Sequence, residues 1–279
     1  IRIPTSVRLT IKERIDRLGE PYGEVLGWAA VLGQRFSMQV LASAMDRTED
    51  DLLPLVERLL EAHILEYEAA VGEDYLTFVD EHVQEVLYES IAGPRRRRYH
   101  LRALQVIEDL FRHRPDQHLE DLARHSVEGN LVAQGAEYSY QAGRKADRLC
   151  AWDRAVRWYE QALSLWEQLG GHLEERAEVS ARLGRTLYES MSNPGKGADY
   201  LAIALADYQT LGNVARTADL HSELGRAYML SGDLRMLDLN RALHHLHLSH
   251  DTLAPLGPSL ELGRACFSLA QAHARVMRI

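Results

Sequence analysis

A tripeptide that ends in arginine recurs four times in the second half of the chain. It reads Ala142-Gly143-Arg144, Leu183-Gly184-Arg185, Leu224-Gly225-Arg226 and Leu262-Gly263-Arg264, at intervals of 41, 41 and 38 residues. A guanidinium group binds a carboxylate or a phosphate through two parallel charge-assisted hydrogen bonds. If the four arginines share one groove, they favour an acidic peptide, a phosphate or a carboxylate as ligand.

Two other clusters could do chemistry, and we interpret both as structural. His244, His245, His247 and His250 lie within one predicted helix, but no cysteine accompanies them and the nearest carboxylate is Asp251. Histidine alone is a weak indication of a metal site, so we expect a solvated or packing face. The run from Arg95 to Arg98 could contact phosphate or nucleic acid. We favour a solvated helix start that also supplies partners for acidic side chains of a neighbouring hairpin.

The chain shows no motif for catalysis. It contains no G-x-x-x-x-G-K-[ST] phosphate loop. Gly195-Lys196-Gly197 lies in a proline-containing turn, and we interpret it as an ordinary loop. It contains neither H-E-x-x-H nor cysteines at metal-ligand spacing. We therefore expect no catalytic residue, no metal and no cofactor held by these 279 residues.

Composition indicates a folded, acidic chain. Hydrophobic residues make up 46% and charged residues 26% of 279 residues, which predicts one large or two smaller domains. The formal net charge of −9 disfavours a general nucleic-acid coat. No apolar run reaches the ~18 residues of a membrane span. The two cysteines and the absence of a signal peptide predict a cytoplasmic protein, and the lack of an initiator methionine suggests a start inside a longer gene product.

The first 93 residues read as four helices, a β-hairpin and a fifth helix. The predicted helices span 5–18, 21–33, 37–45, 49–62 and 80–91, and the hairpin strands flank a turn around Gly72. This order predicts a winged-helix module over residues 1–93. The helix before the hairpin would read DNA, but it carries five acidic side chains against Arg58 alone. Phosphates would repel that helix, so we expect no direct DNA binding.

A second repeated marker supports a repeat array. The segments ALSLWEQLG at 162–170, ALADYQTLG at 204–212 and the degraded SHDTLAPLG at 249–257 recur out of phase with the arginine tripeptide. With Ala155, Tyr159 and Ala162 between the markers, the pattern resembles tetratricopeptide repeats. The resemblance implies a mainly α fold: the winged helix, a connecting helical pair over 94–130, and an α-α superhelix over 131–279 that is incomplete at its C-terminal end. The second repeat departs at Gly197 and Leu201, and the third keeps Gly232-Asp233 and Ala242.

In tetratricopeptide repeats, the residue after the packing glycine faces the concave groove. The resemblance therefore implies a ligand surface there, and its predicted members are Arg144, Arg148, Arg185, Tyr188, Arg226 and Arg264. The same face would carry Glu137, Tyr140, Asp147, Glu178, Asp219, Ser222, Met229 and Phe267. The alternative is that the groove acids neutralise the arginines and that duplication merely copied the tripeptide.

The N-terminal part resembles signal-transduction ATPases with numerous domains. The similar motifs are Arg-x-Asp-Arg-Leu at 14–18, Ala-Val-Leu-Gly at 30–33, Glu-Val-Leu-Tyr-Glu-Ser at 85–90 and Arg-Arg-Tyr-His at 97–100, and the likeness covers roughly residues 1–165. One departure is Phe78-Val79-Asp80, where the family often has Phe-x-His with a histidine that reaches the nucleotide. Here His82 follows two positions later.

The resemblance implies a non-catalytic regulatory segment of a bacterial transcriptional regulator, often of the LuxR type. An ATPase domain that binds ATP or ADP would precede it, and a peptide, protein or small anionic ligand would bind in the repeat groove. Two alternatives stay open: the regulatory region of a nucleotidyl cyclase, and a stand-alone protein-interaction scaffold. None of the three interpretations predicts a membrane partner.

Overall fold

The computed structural model describes residues 4–70, 73–230 and 236–277, which are mainly α-helical as predicted. The chain forms two compact units, the first ending at Leu131 and the second beginning at Val132. Among the described helices, none is both long enough and apolar enough to cross a membrane.

Unit 1 combines seven described helices with a small antiparallel sheet. The helices are α1 Thr5–Asp16, α2 Glu20–Leu32, α3 Met38–Ala44, α4 Glu49–Glu61, α5 Glu81–Ser90, α6 Gly93–Leu110 and α7 Leu119–Glu128. The strands are β1 Arg35–Ser37, β2 Leu65–Ala70 and β3 Glu73–Phe78, in the order β1-β3-β2. The pair predicted as a connecting segment, α6 and α7, belongs to this unit.

The winged-helix elements lie within two residues of their predicted ends. Leu65 pairs with Phe78, and Tyr67 pairs with Leu76, so β2 and β3 form the expected hairpin. The turn around Gly72 lies outside the described residues. Strand β1 was not predicted, because three residues are too few to show an alternating pattern. It adds Phe36 opposite Leu76 on the other edge of β3.

Helix α4 has the acidic surface that its sequence predicts. Thr48 and Asp51 form a reciprocal capping box at its start, which fixes the first turn. Leu52, Val56 and Leu59 point into the core, whereas the acidic side chains of the helix are exposed.

Unit 2 is a series of antiparallel helical hairpins. Its helices are α8 Val132–Arg148, α9 Trp152–Leu169, α10 Leu173–Glu189, α11 Pro194–Thr210, α12 Val214–Leu230, α13 Met236–Leu253 and α14 Leu260–Val276. The hairpins are α8 with α9, α10 with α11, and α12 with α13, and α14 packs on both α12 and α13. Helices α8, α10 and α12 begin 41 residues apart, which is the period of the arginine tripeptide. The Gly232-Asp233 pair of the third repeat lies outside the described residues.

Candidate ligand groove

The repeated glycines mark close helix crossings in the first and third repeats. A Cβ added at Gly143 would lie 2.6 Å from Tyr159 Cδ1, and one at Gly225 would lie 2.5 Å from Leu246 Cγ. Tyr159 is fully buried together with Ala155, so the small and large residues interlock as expected. A larger residue at either glycine would push the two helices of the hairpin apart.

The second repeat brings two backbones together. A Cβ at Gly184 on α10 would lie 2.7 Å from the carbonyl oxygen of Gly197 on α11, and the converse distance is also 2.7 Å. Gly197 replaces the usual alanine because the helices cross too closely for a Cβ on either side. Gly263 has no such neighbour within 4 Å among the residues that the structure describes, so the close-packing role expected of the repeated glycine is absent there.

A polar network centred on Glu178 connects consecutive repeats. Its Oε1 accepts hydrogen bonds from Arg182 Nε at 2.9 Å and from the Tyr140 hydroxyl at 3.3 Å. Its Oε2 accepts from Arg216 at 2.6 Å and from the Tyr208 hydroxyl at 3.2 Å. The four donors come from α8, α10, α11 and α12, so one carboxylate links helices of three repeats.

The charges of this network are mutually compensated. Burial acts to raise the pKa of Glu178, but Arg216 and Arg182 outweigh it and lower that pKa below its ordinary value. Arg216 also donates to Asp219 at 2.8 Å. The ionised carboxylate is therefore the stable form of Glu178, and both of its oxygens are occupied.

Two of the predicted ligand arginines bind acidic side chains of neighbouring helices. Arg185 on α10 forms an ion pair with Glu223 on α12, whose side chain is only 4% exposed. Arg226 on α12 lies 3.5 Å from Glu189 on α10. In one pair the arginine lies on α10 and in the other it lies on α12, so both arginines connect these two helices. Their role in ligand binding stays a prediction.

Tyr188 lies below the surface. It is fully buried, its hydroxyl donates to Glu189 at 3.4 Å, and the Arg226 guanidinium lies 5.4 Å from its ring centroid. Burial raises the pKa of its hydroxyl to about 12. The predicted ligand contact by Tyr188 is therefore corrected to packing beneath Arg226. Ser222 and Met229 are also buried, whereas Phe267 is exposed.

Arg144, Arg148 and Arg264 are exposed. Arg144 lies 5.7 Å from the ring centroid of Tyr140, one turn earlier on α8. The role of these arginines in ligand binding stays a prediction. Because the Tyr140 ring lines a cavity, we place Arg144 at the rim of that cavity.

That cavity has a volume of about 330 Å³, within the usual range for small-ligand pockets. Helices α8 and α10 supply most of its walls, and the ends of α9 and α11 each supply one aromatic ring. Its lining consists of four carboxylates, three aromatic rings and one aliphatic side chain: Glu137, Glu174, Glu175, Glu178, Tyr140, Trp166, Tyr208 and Val179.

The repeat pattern predicted three of the cavity residues, but it did not indicate the rings of Trp166 and Tyr208. Both occupy the fifth position of the second repeated marker, in ALSLWEQLG and ALADYQTLG. Glu137, Glu178 and Asp219 likewise recur at intervals of 41 residues. Both sets of residues therefore recur at fixed positions of the repeat in the sequence. Only the fold shows that the two sets line the same cavity. Arg216 has no repeat-equivalent arginine and could not be found this way.

The run from Arg95 to Arg98 is used inside unit 1. Arg97 Nε donates to the carbonyl of Gly129 at 3.0 Å, and the Arg96 guanidinium lies 4.6 Å from the ring centroid of Tyr88. Within the described residues the acidic hairpin finds a different partner, because Arg35 donates to Glu68 at 2.8 Å. The expectation that the run pairs with the hairpin acids is not what the structure shows.

Asp80 caps a helix at the position where the signal-transduction ATPases that this chain resembles often have histidine. Its carboxylate accepts a hydrogen bond from the backbone N–H of His82 at 2.8 Å, so it caps the N-terminus of α5. Helix α5 begins directly after it, and His82 lies in the first turn.

The rings of His244 and His245 lie 5.5 Å apart, and the other contacts of the clustered histidines are to different partners. His245 Nδ1 lies 2.8 Å from His221 Nδ1, His247 packs edge-on against His273, and His250 lies 3.0 Å from Asp251. Among the described residues, no three histidine, cysteine or acidic side chains are grouped closely enough to hold a metal ion.

Comparison with known proteins leaves the family open. The sequence matches no family model and no curated protein. The crystal structure of BtubC (BKLC) from P. vanneervenii is 18% identical over 68% of this chain and 90% of that one, with a TM-score of 0.42. The signal-transduction ATPase PH0952 from Pyrococcus horikoshii, which has a tetratricopeptide repeat sensor, is 13% identical over 99% of this chain, with a TM-score of 0.27. The match spans about half, 51%, of that protein's length.

Proposed function

We propose that this chain is the non-catalytic regulatory segment of a larger bacterial transcriptional regulator. In this proposal the repeats of unit 2 bind a peptide, a protein or a small ligand, and binding controls an ATPase domain that precedes residue 1 in the full protein. Unit 1 transmits the signal and does not itself read DNA.

The observation that carries the proposal is the cavity between repeats. Repeat arrays present extended surfaces suited to ligands. Here α8 and α10 enclose about 330 Å³ beside the exposed Arg144. The Glu178 network anchors the wall of this cavity to α12, so a ligand that shifts the wall also strains the contact between repeats.

The anionic part of the ligand, if present, would contact the exposed arginines. Arg144 and Arg264 can form charge-assisted hydrogen bonds without breaking an ion pair that the structure shows. Arg185 and Arg226 would first have to leave Glu223 and Glu189. We therefore assign anion binding to Arg144 at the cavity rim and to Arg264.

The proposal is tested by measuring ATP hydrolysis of the full-length protein with and without residues 132–279. Regulatory coupling is commonly 1–3 kcal/mol, so deletion should change the hydrolysis rate by about fivefold or more. The 279-residue chain alone, incubated with ATP and magnesium, serves as the control and should release no phosphate above a blank. An unchanged rate after deletion would contradict the regulatory role.

A further inference from the structure

The cavity in unit 2 carries more carboxylates than its arginines neutralise. Arg182 and Arg216 both donate to Glu178, and Arg216 also donates to Asp219. The other three carboxylates are not bound to arginine in the described residues. Glu137 accepts from the amide of Gln141 at 2.6 Å, and Glu175 lies 3.5 Å from His172. Glu174 makes no ion pair with any residue that the structure describes.

The aromatic walls are fixed in place. Trp166 and Tyr208 are 7% and 4% exposed, so packing holds their rings. The hydroxyls of Tyr140 and Tyr208 both donate to Glu178, which sets the orientation of those two rings. The guanidinium groups of Arg216 and Arg144 lie 5.3 and 5.7 Å from the ring centroids of Tyr208 and Tyr140, so both rings already have a cation nearby in the folded chain.

Carboxylates and aromatic faces attract the same kind of group. An ammonium or guanidinium ion gains Coulomb attraction from Glu174 and Glu175 and cation–π attraction from the rings. A carboxylate or phosphate would meet the three remaining negative charges. The walls therefore select against the anion that the arginine tripeptides predict, except at Arg144 on the rim.

We propose that the cavity formed by Tyr140, Trp166, Glu174, Glu175 and Tyr208 binds an organic cation, either a primary ammonium or a guanidinium group. This inference rests on the proposed function and names the chemical class of its ligand. The cation belongs to a free polyamine or to a lysine or arginine side chain of a peptide. Arg144 at the rim binds the carboxylate of the same ligand when one is present.

The experiment is a calorimetric titration of the 279-residue chain with four probes. Spermidine represents the free polyamine, Gly-Lys-Gly and Gly-Arg-Gly represent the peptide, and Gly-Glu-Gly is the anionic comparison. We expect at least one cationic probe to bind at least about tenfold more tightly than Gly-Glu-Gly at low salt. Binding of spermidine but of neither cationic tripeptide would identify a polyamine site. Binding of a cationic tripeptide but not of spermidine would identify a peptide site.

The variant Glu174→Gln with Glu175→Gln removes two charges without changing side-chain size. It should weaken binding of the cation at least about tenfold. The control is Asp153→Asn with Asp199→Asn, which removes two exposed charges, one of them also in a first helical turn, outside the cavity lining. It should bind like the unmodified chain, and circular dichroism should show all three proteins folded.

Three results would overturn the inference. These are no cation binding up to about 10 mM, equal binding by the Glu174→Gln, Glu175→Gln variant, and preferential binding of Gly-Glu-Gly. Preferential binding of the anionic peptide would leave the proposed function standing. Cation binding together with an unchanged hydrolysis rate after deletion of residues 132–279 would instead overturn the proposed function and keep the cation site.

Discussion

At the scale of single residues, Arg185 has a structural role that its repeated tripeptide does not predict. The tripeptide places an arginine at this position in every repeat, which favours a shared ligand. The structure pairs Arg185 with Oε1 of Glu223, a carboxylate that is almost fully buried and whose Oε2 has no hydrogen-bond partner among the described residues. The charge of Arg185 is therefore needed inside the protein.

We expect Arg185→Ala to destabilise unit 2 by about 2 kcal/mol, because it leaves the Glu223 carboxylate buried without a cation. Arg144→Ala, at an exposed position of the same tripeptide, should change the free energy of unfolding by less than about 0.5 kcal/mol. Urea unfolding followed by circular dichroism measures both. Adding Glu223→Leu to Arg185→Ala should recover part of the loss; equal stability of the two single variants would contradict the pairing.

A second residue-scale feature is the buried histidine pair of unit 1. His100 Nδ1 lies 2.8 Å from His125 Nδ1, and the Tyr88 hydroxyl lies 3.0 Å from His100 Nε2. Burial, with added repulsion from Arg124 and Arg96, lowers the pKa of His100 to about 3. Burial also holds the pKa of His125 well below its ordinary value. Both imidazoles are therefore neutral in the folded chain.

Below about pH 6.5 the unfolded chain binds protons that the folded pair cannot, so stability falls as the pH falls. For His100 alone the loss between about pH 7.5 and about pH 5 is about 2 kcal/mol. Urea unfolding of unit 1 at the two pH values measures it. His100→Gln should flatten the pH dependence, whereas His113→Gln, at an exposed position, should not. Parallel pH profiles for all three proteins would exclude the histidine pair as the cause.

At the scale of elements, the glycines of the first repeat helices separate packing from mere duplication. A Cβ at Gly184 meets backbone atoms of α11 that cannot move aside, whereas a Cβ at Gly263 meets no atom of the described chain within 4 Å. The same tripeptide therefore has opposite requirements in the second and fourth repeats.

Gly184→Ala should destabilise unit 2 by about 1–3 kcal/mol, because the crossing of α10 and α11 must widen. Gly263→Ala should stabilise the chain by about 0.5–1 kcal/mol, because it removes a flexible residue from the interior of α14. Thermal unfolding monitored by circular dichroism distinguishes the two. Destabilisation by both substitutions would mean that α14 is packed more closely than the structure shows.

The elements were largely predictable because their signals are local. Helix ends followed from capping residues and periodicity, as with Thr48 and Asp51, and the hairpin followed from alternating apolar residues. Strand β1 and the cavity were not predictable for the same physical reason. Arg35–Ser37 becomes a strand only by pairing with β3, and Trp166 meets Glu174 only because α9 and α10 fold back on each other. Contacts that depend on tertiary structure produce no recognisable pattern in the sequence of one short segment.

At the scale of the whole molecule, the charge of the groove is the property that decides its ligand. The chain has a formal net charge of −9, and unit 2 uses two tripeptide arginines to neutralise its own acids. What remains open is a carboxylate-lined cavity with Arg144 at its rim. We therefore propose both that a cation binds in the repeats and that its binding controls an ATPase domain of the full protein.

The measurement that tests this coupling most directly is the ATP hydrolysis rate of the full-length protein with and without the cationic probe that binds. We predict a change of about fivefold or more on adding the probe. The Glu174→Gln, Glu175→Gln variant should lose this response, and the Asp153→Asn, Asp199→Asn control should keep it. A probe that binds the repeats without changing the hydrolysis rate, or that changes it equally in the cavity variant, would contradict the account.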